Sequence, residues 1–192
     1  MRRPHRAALL GLCAGVVLFA GRASATLVLA LDLPTLVARA DAIAVVDVAG
    51  VRSAWSAERR QILTTVDLVV VESWKGGASP SSHLTVVQMG GSVGDLVVTV
   101  DGMPRFSPGE RALVFLRGQP DRAGVVGMSQ GKRSLRRRSP RDDWWVSRPD
   151  REGADFVAGD PATATPVIRS RDQPLGQLRA EVGALVRQAV SP

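Results

Sequence analysis

The chain has 192 residues, 45% of them hydrophobic and 22% charged, with a net charge of +7, one cysteine and two histidines. That length and apolar content suit one domain with a core of its own. A single cysteine excludes an internal disulfide and a cysteine-rich metal site, so packing must hold the fold.

Residues 1–25 have the three parts of a secretory signal: Arg2, Arg3 and Arg6, then the apolar run Ala7 to Ala20, then the small-residue site Ala23-Ser24-Ala25. Cleavage is expected before Thr26. The apolar run falls short of the roughly 20 residues a membrane-crossing helix needs. The mature chain is therefore expected to be exported, periplasmic or secreted, with no transmembrane anchor. Loss of Arg2, Arg3, Arg6 and Arg22 lowers the charge from +7 to +3, and Cys13 and His5 leave with them.

Residues 26–131 carry the pattern of a β-barrel domain. Thr26 to Leu31 is apolar, either a short strand or the tail of the signal. Asp32 stands at a helix N-cap, with Pro34 in the first turn and Leu33, Leu36, Val37 and Ala40 at helical spacing. A strand is predicted over Ala42–Ala54, a polar turn over Trp55–Arg60, and a long strand over Ile62–Trp74. Period two puts Ile62, Thr64, Val66, Leu68, Val70 and Trp74 on one face of that strand, and Leu63, Thr65, Asp67, Val69 and Val71 on the other. At about 40 Å it is twice the usual length, which favours a strand coiled around a small barrel over one in a flat sheet. Its two apolar faces call for a core inside and a second covering outside.

Further strands are expected at His83–Met89, Leu96–Val100, Arg111–Arg117 and Ala123–Met128, with Gly90 to Gly94 as a break and Met103 to Glu110 as a turn region. Five or six strands without βαβ alternation predict a mostly β fold, a small antiparallel OB-like barrel with a short N-terminal helix. Residues 132–174 form a basic and then irregular segment rich in Pro, Asp and Gly. Residues 175–190 are expected to form a C-terminal amphipathic helix capped by Asp172, with Pro174 in its first turn. Leu175, Leu178, Val182, Leu185, Val186 and Ala189 make its apolar stripe, the natural outer covering of the long strand.

Four segments, LVARADAIAVVDVAGV (Leu36 to Val51), VDLVVVESWKG (Val66 to Gly76), FSPGERALVFL (Phe106 to Leu116) and GMSQGK (Gly127 to Lys132), resemble a group of uncharacterised bacterial exported proteins. More remotely, the order of an Ala-Asp pair, a strand, a long strand ending in Lys-Gly and a Pro-Gly-Glu turn is similar to netrin-like modules, the type found in tissue inhibitors of metalloproteinases. That resemblance implies an OB-type barrel. The inhibitors' N-terminal cysteine and disulfides have no counterpart in the mature chain, so no functional residue is carried over.

The clearest binding signal is the basic run Lys132, Arg133, Arg136, Arg137 and Arg138 with the neighbouring Trp144 and Trp145. Guanidinium forks suit carboxylate or phosphate, and indoles stack on a sugar or a cation. Nearby Asp142, Asp143, Asp150 and Glu152 favour the plainer alternative of a solvated loop with local ion pairs. His83, the one mature histidine, rules out a histidine-based metal cluster, and no cofactor fingerprint is present. Gly127 to Lys132 lacks one residue of a phosphate-binding loop, and Arg133 stands where Ser or Thr is needed. These features predict a non-enzymatic exported module for a protein or envelope polymer rather than nucleic acid, with no metal and no cofactor. Two alternatives are a hydrolase using Asp67 with Asp47 or Asp101, and electrostatic docking of the Arg-rich run to an anionic envelope surface.

Overall fold

Two 14-residue strands, β2 (Ala42–Trp55) and β3 (Ile62–Lys75), form the central antiparallel hairpin of the computed structural model. Residues 26–137, 139, 143–147, 154–158, 165–166 and 172–190 are described; the expected signal segment, Arg138 and much of the expected irregular segment lie outside them. From Ile62 to Val70 every second residue of β3 is buried, as the period-two pattern demands. The alternation then fails for a specific reason. Val45 faces Glu72 while Val46 faces Val70, and Ile43 faces Lys75 while Ala44 faces Ser73, so Val71 and Trp74 are extra residues in β-bulges. Trp74 therefore leaves the face of Ile62 and Val70 and packs in a different core, which corrects the single-face assignment.

The remaining elements are β1 (Thr26–Leu29), α1 (Leu33–Arg39), β4 (His83–Met89), β5 (Gly91–Val93), β6 (Leu96–Val98), β7 (Arg111–Gln119), β8 (Arg122–Val125), a 3-10 turn (Met128–Gly131), β9 (Lys132–Arg136), β10 (Trp145–Val146), β11 (Ala154–Ala158), β12 (Thr165–Pro166), β13 (Gln173–Pro174) and α2 (Leu175–Val190). The fold is mostly β. Its main sheet runs β13-β10-β9-β7-β2-β3-β4-β8. β8 pairs with β4 in parallel at Val86 and Ala123, and also with β7 as an antiparallel hairpin. Beyond the 3-10 turn the chain rejoins β7 as β9, with Ser134 opposite Ala112 and Lys132 opposite Val114. The basic segment thus begins as a sheet strand and not as a loop.

Two apolar cores share the sheet. Val46, Val48, Val66, Leu68, Val70, Val86, Val114 and Leu116 fill the inner one. Residues one step along the same strands, Ile43 and Val45 on β2 and Leu113 and Phe115 on β7, form the second with α1, α2, Leu135 and Val146. Asp32 caps α1 by accepting the Thr35 amide at 2.9 Å. In α2, Leu175, Leu178 and Val182 are buried and Leu185 and Val186 half-buried, but Ala189 is exposed, so the stripe ends a turn early. This helix packs against α1 and the C-terminal end of β3, where Trp74 joins its core and Glu72 pairs with Arg179, so the expected covering holds over that end of the long strand, while Val71 stays exposed.

Smaller details are also settled. The C-terminal helix spans Leu175–Val190 as expected, but Gln173 and Pro174 pair with Val146 and Trp145 as a strand, so Pro174 precedes its first turn, and the Leu175 amide donates to the Trp144 carbonyl at 2.8 Å. The Gly90–Gly94 break is in part strand β5, paired with β6. Gly91 has φ +126°, and a Cβ there would lie 2.2 Å from Ser53 Oγ and 2.4 Å from Thr64 Oγ1, so only glycine lets this hairpin approach β2 and β3 so closely. Thr26 to Leu29 is a strand, parallel to β11.

Candidate functional site

Strand β9 alternates. Lys132, Ser134 and Arg136 lie on the side of Val114 and Ala112, while Arg133 and Leu135 lie on the side of Leu113. The basic run that looked continuous in sequence is thereby divided between two environments. Lys132 is only 5% exposed, with its ammonium 2.6 Å from Glu110 Oε1, 3.0 Å from Ser134 Oγ and 5.5 Å from the Phe106 ring centroid. Ser134 Oγ donates to the same Glu110 oxygen at 2.5 Å, and the Ser107 amide donates to Glu110 Oε2 at 3.2 Å. A buried ammonium needs this set of acceptors to offset its desolvation.

Glu110 reaches this position through the Pro108-Gly109-Glu110 turn. The Gly109 amide donates to the Val48 carbonyl and the Val48 amide to the Glu110 carbonyl, both at 2.8 Å, which stitches the turn to β2. In front of the Lys132–Ser134–Glu110 group opens a cleft of about 350 Å³, lined also by Arg105, Ser107 and Arg136. Arg105 and Arg136 are exposed. Three cations and one carboxylate give the cleft a net positive character.

Arg133, 9% exposed, faces the α2 side. Burial pulls its guanidinium below the ordinary arginine range, and the Glu181 carboxylate on α2 opposes that shift. Arg137 lies 4.3 Å and Arg111 4.9 Å from the Trp144 ring centroid. Arg111 in turn grips Asp47 through Nε and Nη2, each at 2.6 Å. Those hydrogen bonds hold the Asp47 carboxyl below the usual range and raise Arg111. Trp144, half-buried, is thus engaged by two of the protein's own cations. Trp145 is half-buried, opposite Arg136 and Pro174 in the sheet register.

Of the expected binding residues among those described, only Lys132 and Arg136 line the cleft. Arg105 and Glu110 complete it, and sequence offered little to find them: Glu110 was one acid among several, and Arg105 a lone cation in a proline-rich turn. Two of the acids considered for hydrolysis, Asp67 and Asp47, are ion-paired. Asp67 binds Arg52 at 2.5 Å and Asp47 binds Arg111. Both lie on the outward side of neighbouring strands, yet a general acid needs a raised pKa and Asp47 is shifted the other way. Glu72 likewise pairs with Arg179. Among the described residues there is no group of three His, Cys, Asp or Glu side chains placed to hold a metal ion, and no helix is long and apolar enough to cross a membrane.

The residues behind the netrin-like resemblance have structural work. Lys75 Nζ donates to the Val37 and Ala40 carbonyls at 2.8 and 2.6 Å, closing the C-terminus of α1. Asp41 accepts the Gly118 amide at 2.8 Å, and a Cβ on Gly76 would lie 2.7 Å from the Asp41 carbonyl oxygen. Gln130, in the Gly127 to Lys132 segment, accepts the Leu31 amide at 2.7 Å and donates to the Leu29 carbonyl at 3.1 Å. Comparison of the chain with protein-family models, curated proteins and solved structures returned no match.

Proposed function

We propose that this protein is an exported, non-enzymatic binding module that holds a protein or envelope polymer at the cleft between Arg105 and Arg136. The carrying observation is the cleft itself, an open, positively charged hollow whose floor is immobilised by the Lys132–Ser134–Glu110 group. Preorganised polar groups bind a partner without losing side-chain entropy on contact. The alternative of docking through the whole arginine-rich run has less support, because Lys132 and Arg133 are buried.

For the scaffold we infer an OB-like barrel of the netrin-like kind. Its support is the strand order β7-β2-β3-β4, the fourth strand of this set lying beside the first as in a Greek key, with β8 bridging β4 and β7. Export by a cleaved signal rests on the pattern of residues 1–25. N-terminal sequencing of the protein from the envelope fraction should begin at Thr26; recovery of an uncleaved chain overturns export by cleavage. For binding, immobilised mature protein should retain a defined envelope component saturably at about 0.15 M salt. Absence of any retained component that free mature protein displaces overturns the module reading.

A further inference from the structure

We propose that two copies of this chain associate through β6, whose outer edge pairs antiparallel with the same edge of a second copy about Val97. The inference is independent of the cleft. Seven large hydrophobic residues among those described are exposed, and three of them are consecutive in β6: Leu96 at 56%, Val97 at 72% and Val98 at 45%. β6 pairs with β5 alone, as a two-stranded ribbon, so its other edge has no neighbour among the described residues. The ribbon is fixed to the rest of the fold from the β5 side, where Gly91 sits against Ser53 of β2 and Thr64 of β3. An unpaired apolar edge that carries no proline, lysine or bulge is a template for another strand. A ribbon of two strands also gains stability from a third.

The hairpin sets the register. Gly94 and Asp95 make its two-residue turn, with Gly94 at φ +58°, so the flanking Val93 and Leu96 exchange main-chain bonds. Gly91 and Val98 are the next such pair, and the Val98 carbonyl oxygen lies on the β5 side, 2.8 Å from where a Cβ on Gly90 would stand. The N–H and C=O of Val97, opposite Ser92, therefore point to the open edge. A pair centred on Val97 bonds these groups reciprocally across a two-fold axis, which closes the assembly at two copies. Leu96 of each copy then lies opposite Val98 of the other, and Asp95 opposite Thr99, whose hydroxyl can donate to it. Centring on Val98 would oppose Asp95 to Asp101 and turn the central N–H and C=O toward β5, while centring on Asp95 would oppose the two acids. Three paired residues from each copy make a contact smaller than the roughly 1,200 Å² of a standard interface, so the dissociation constant is expected at about 10 to 100 μM.

Sedimentation equilibrium of the mature protein from about 5 to about 500 μM tests this, and the mean mass should rise toward twice that of the monomer. Val97→Lys sets two ammonium groups against each other at the centre and should weaken association by about tenfold or more. Val97→Pro removes the central N–H, which bonds nothing within the hairpin, and should weaken it to a similar extent. Thr99→Lys acts in the opposite direction: it places a cation beside Asp95 of the other copy, twice by symmetry, and should tighten association by about threefold. Val71→Lys, at an exposed position far along β3, should change nothing. Unfolding curves that coincide with wild type show that the variants are folded, and Val97→Lys carries the test if Val97→Pro lowers stability. A monomer at every concentration, association untouched by the Val97 variants, growth beyond two copies, or failure of Thr99→Lys to tighten the pair overturns the proposal.

Discussion

The inner core draws on strands β2, β3, β4, β7 and β8 of the chain's middle, whereas the helix-side core adds α1, β10 and α2, from opposite ends of the chain, to residues of β2 and β7. The two also differ at their margins. The inner cluster is apolar, and the charge at its edge is the Lys132–Glu110 pair, with Lys132 opposite Val114 and over the Phe106 ring. On the helix side, ion pairs border the apolar residues: Asp47 with Arg111, Glu72 with Arg179, and Arg133 facing Glu181. The pair beside the inner core is buried while the helix-side pairs are partly exposed, because a helix laid across a sheet meets the places where strands emerge into water.

If the inner core is the less yielding of the two, Leu68→Ala should cost more than Leu178→Ala, although both side chains are completely buried. Strands tied on both sides cannot close a cavity, so we expect about 4 kcal/mol for Leu68, against about 2.5 kcal/mol for Leu178, where α2 can settle inward. Urea unfolding with unchanged slope measures both; equal losses would remove the distinction. Next in size is Lys132→Met, which leaves Glu110 without its cation and should cost about 3 kcal/mol. Adding Glu110→Gln should recover part of that loss, and strict additivity would mean that the pair is not coupled.

Lys75→Met tests the junction of α1 with the sheet and should cost about 1 kcal/mol through two freed carbonyls, with amide exchange faster in the last turn of α1 than in β3. The smallest effect is expected at Asp47, whose folded pKa is lowered by Arg111. Its contribution to stability is fully present above the unfolded-state pKa near pH 4 and is lost as pH falls through the folded value. The stability gap between wild type and Asp47→Asn should therefore narrow below about pH 4, and a gap that stayed constant down to pH 2 would contradict the assignment.

Legibility in sequence follows the same division. The alternation of Ile62 to Val70, the Asp32 cap and the hairpin of β2 with β3 were all readable, because each depends on residues near one another in the chain. Trp74 was misplaced because bulges at Val71 and Trp74 shift the phase, and nothing in a valine-rich run marks where an extra residue is accommodated. The basic run was visible as composition, but its division into a cleft-facing Lys132, a helix-facing Arg133 and a Trp144-bound Arg137 was not. Half of the cleft, Arg105 and Glu110, went unselected because its members come from a turn whose position is set by β2.

Sequence by itself determined the β-rich class, the first helix and the strand alternation, since period and capping are local properties of the chain. Only the tertiary structure decided which charges meet. Ser134 reaches Glu110 across 24 residues and Arg111 reaches Asp47 across 64, and such pairings depend on sheet register, which is settled by packing two cores at once.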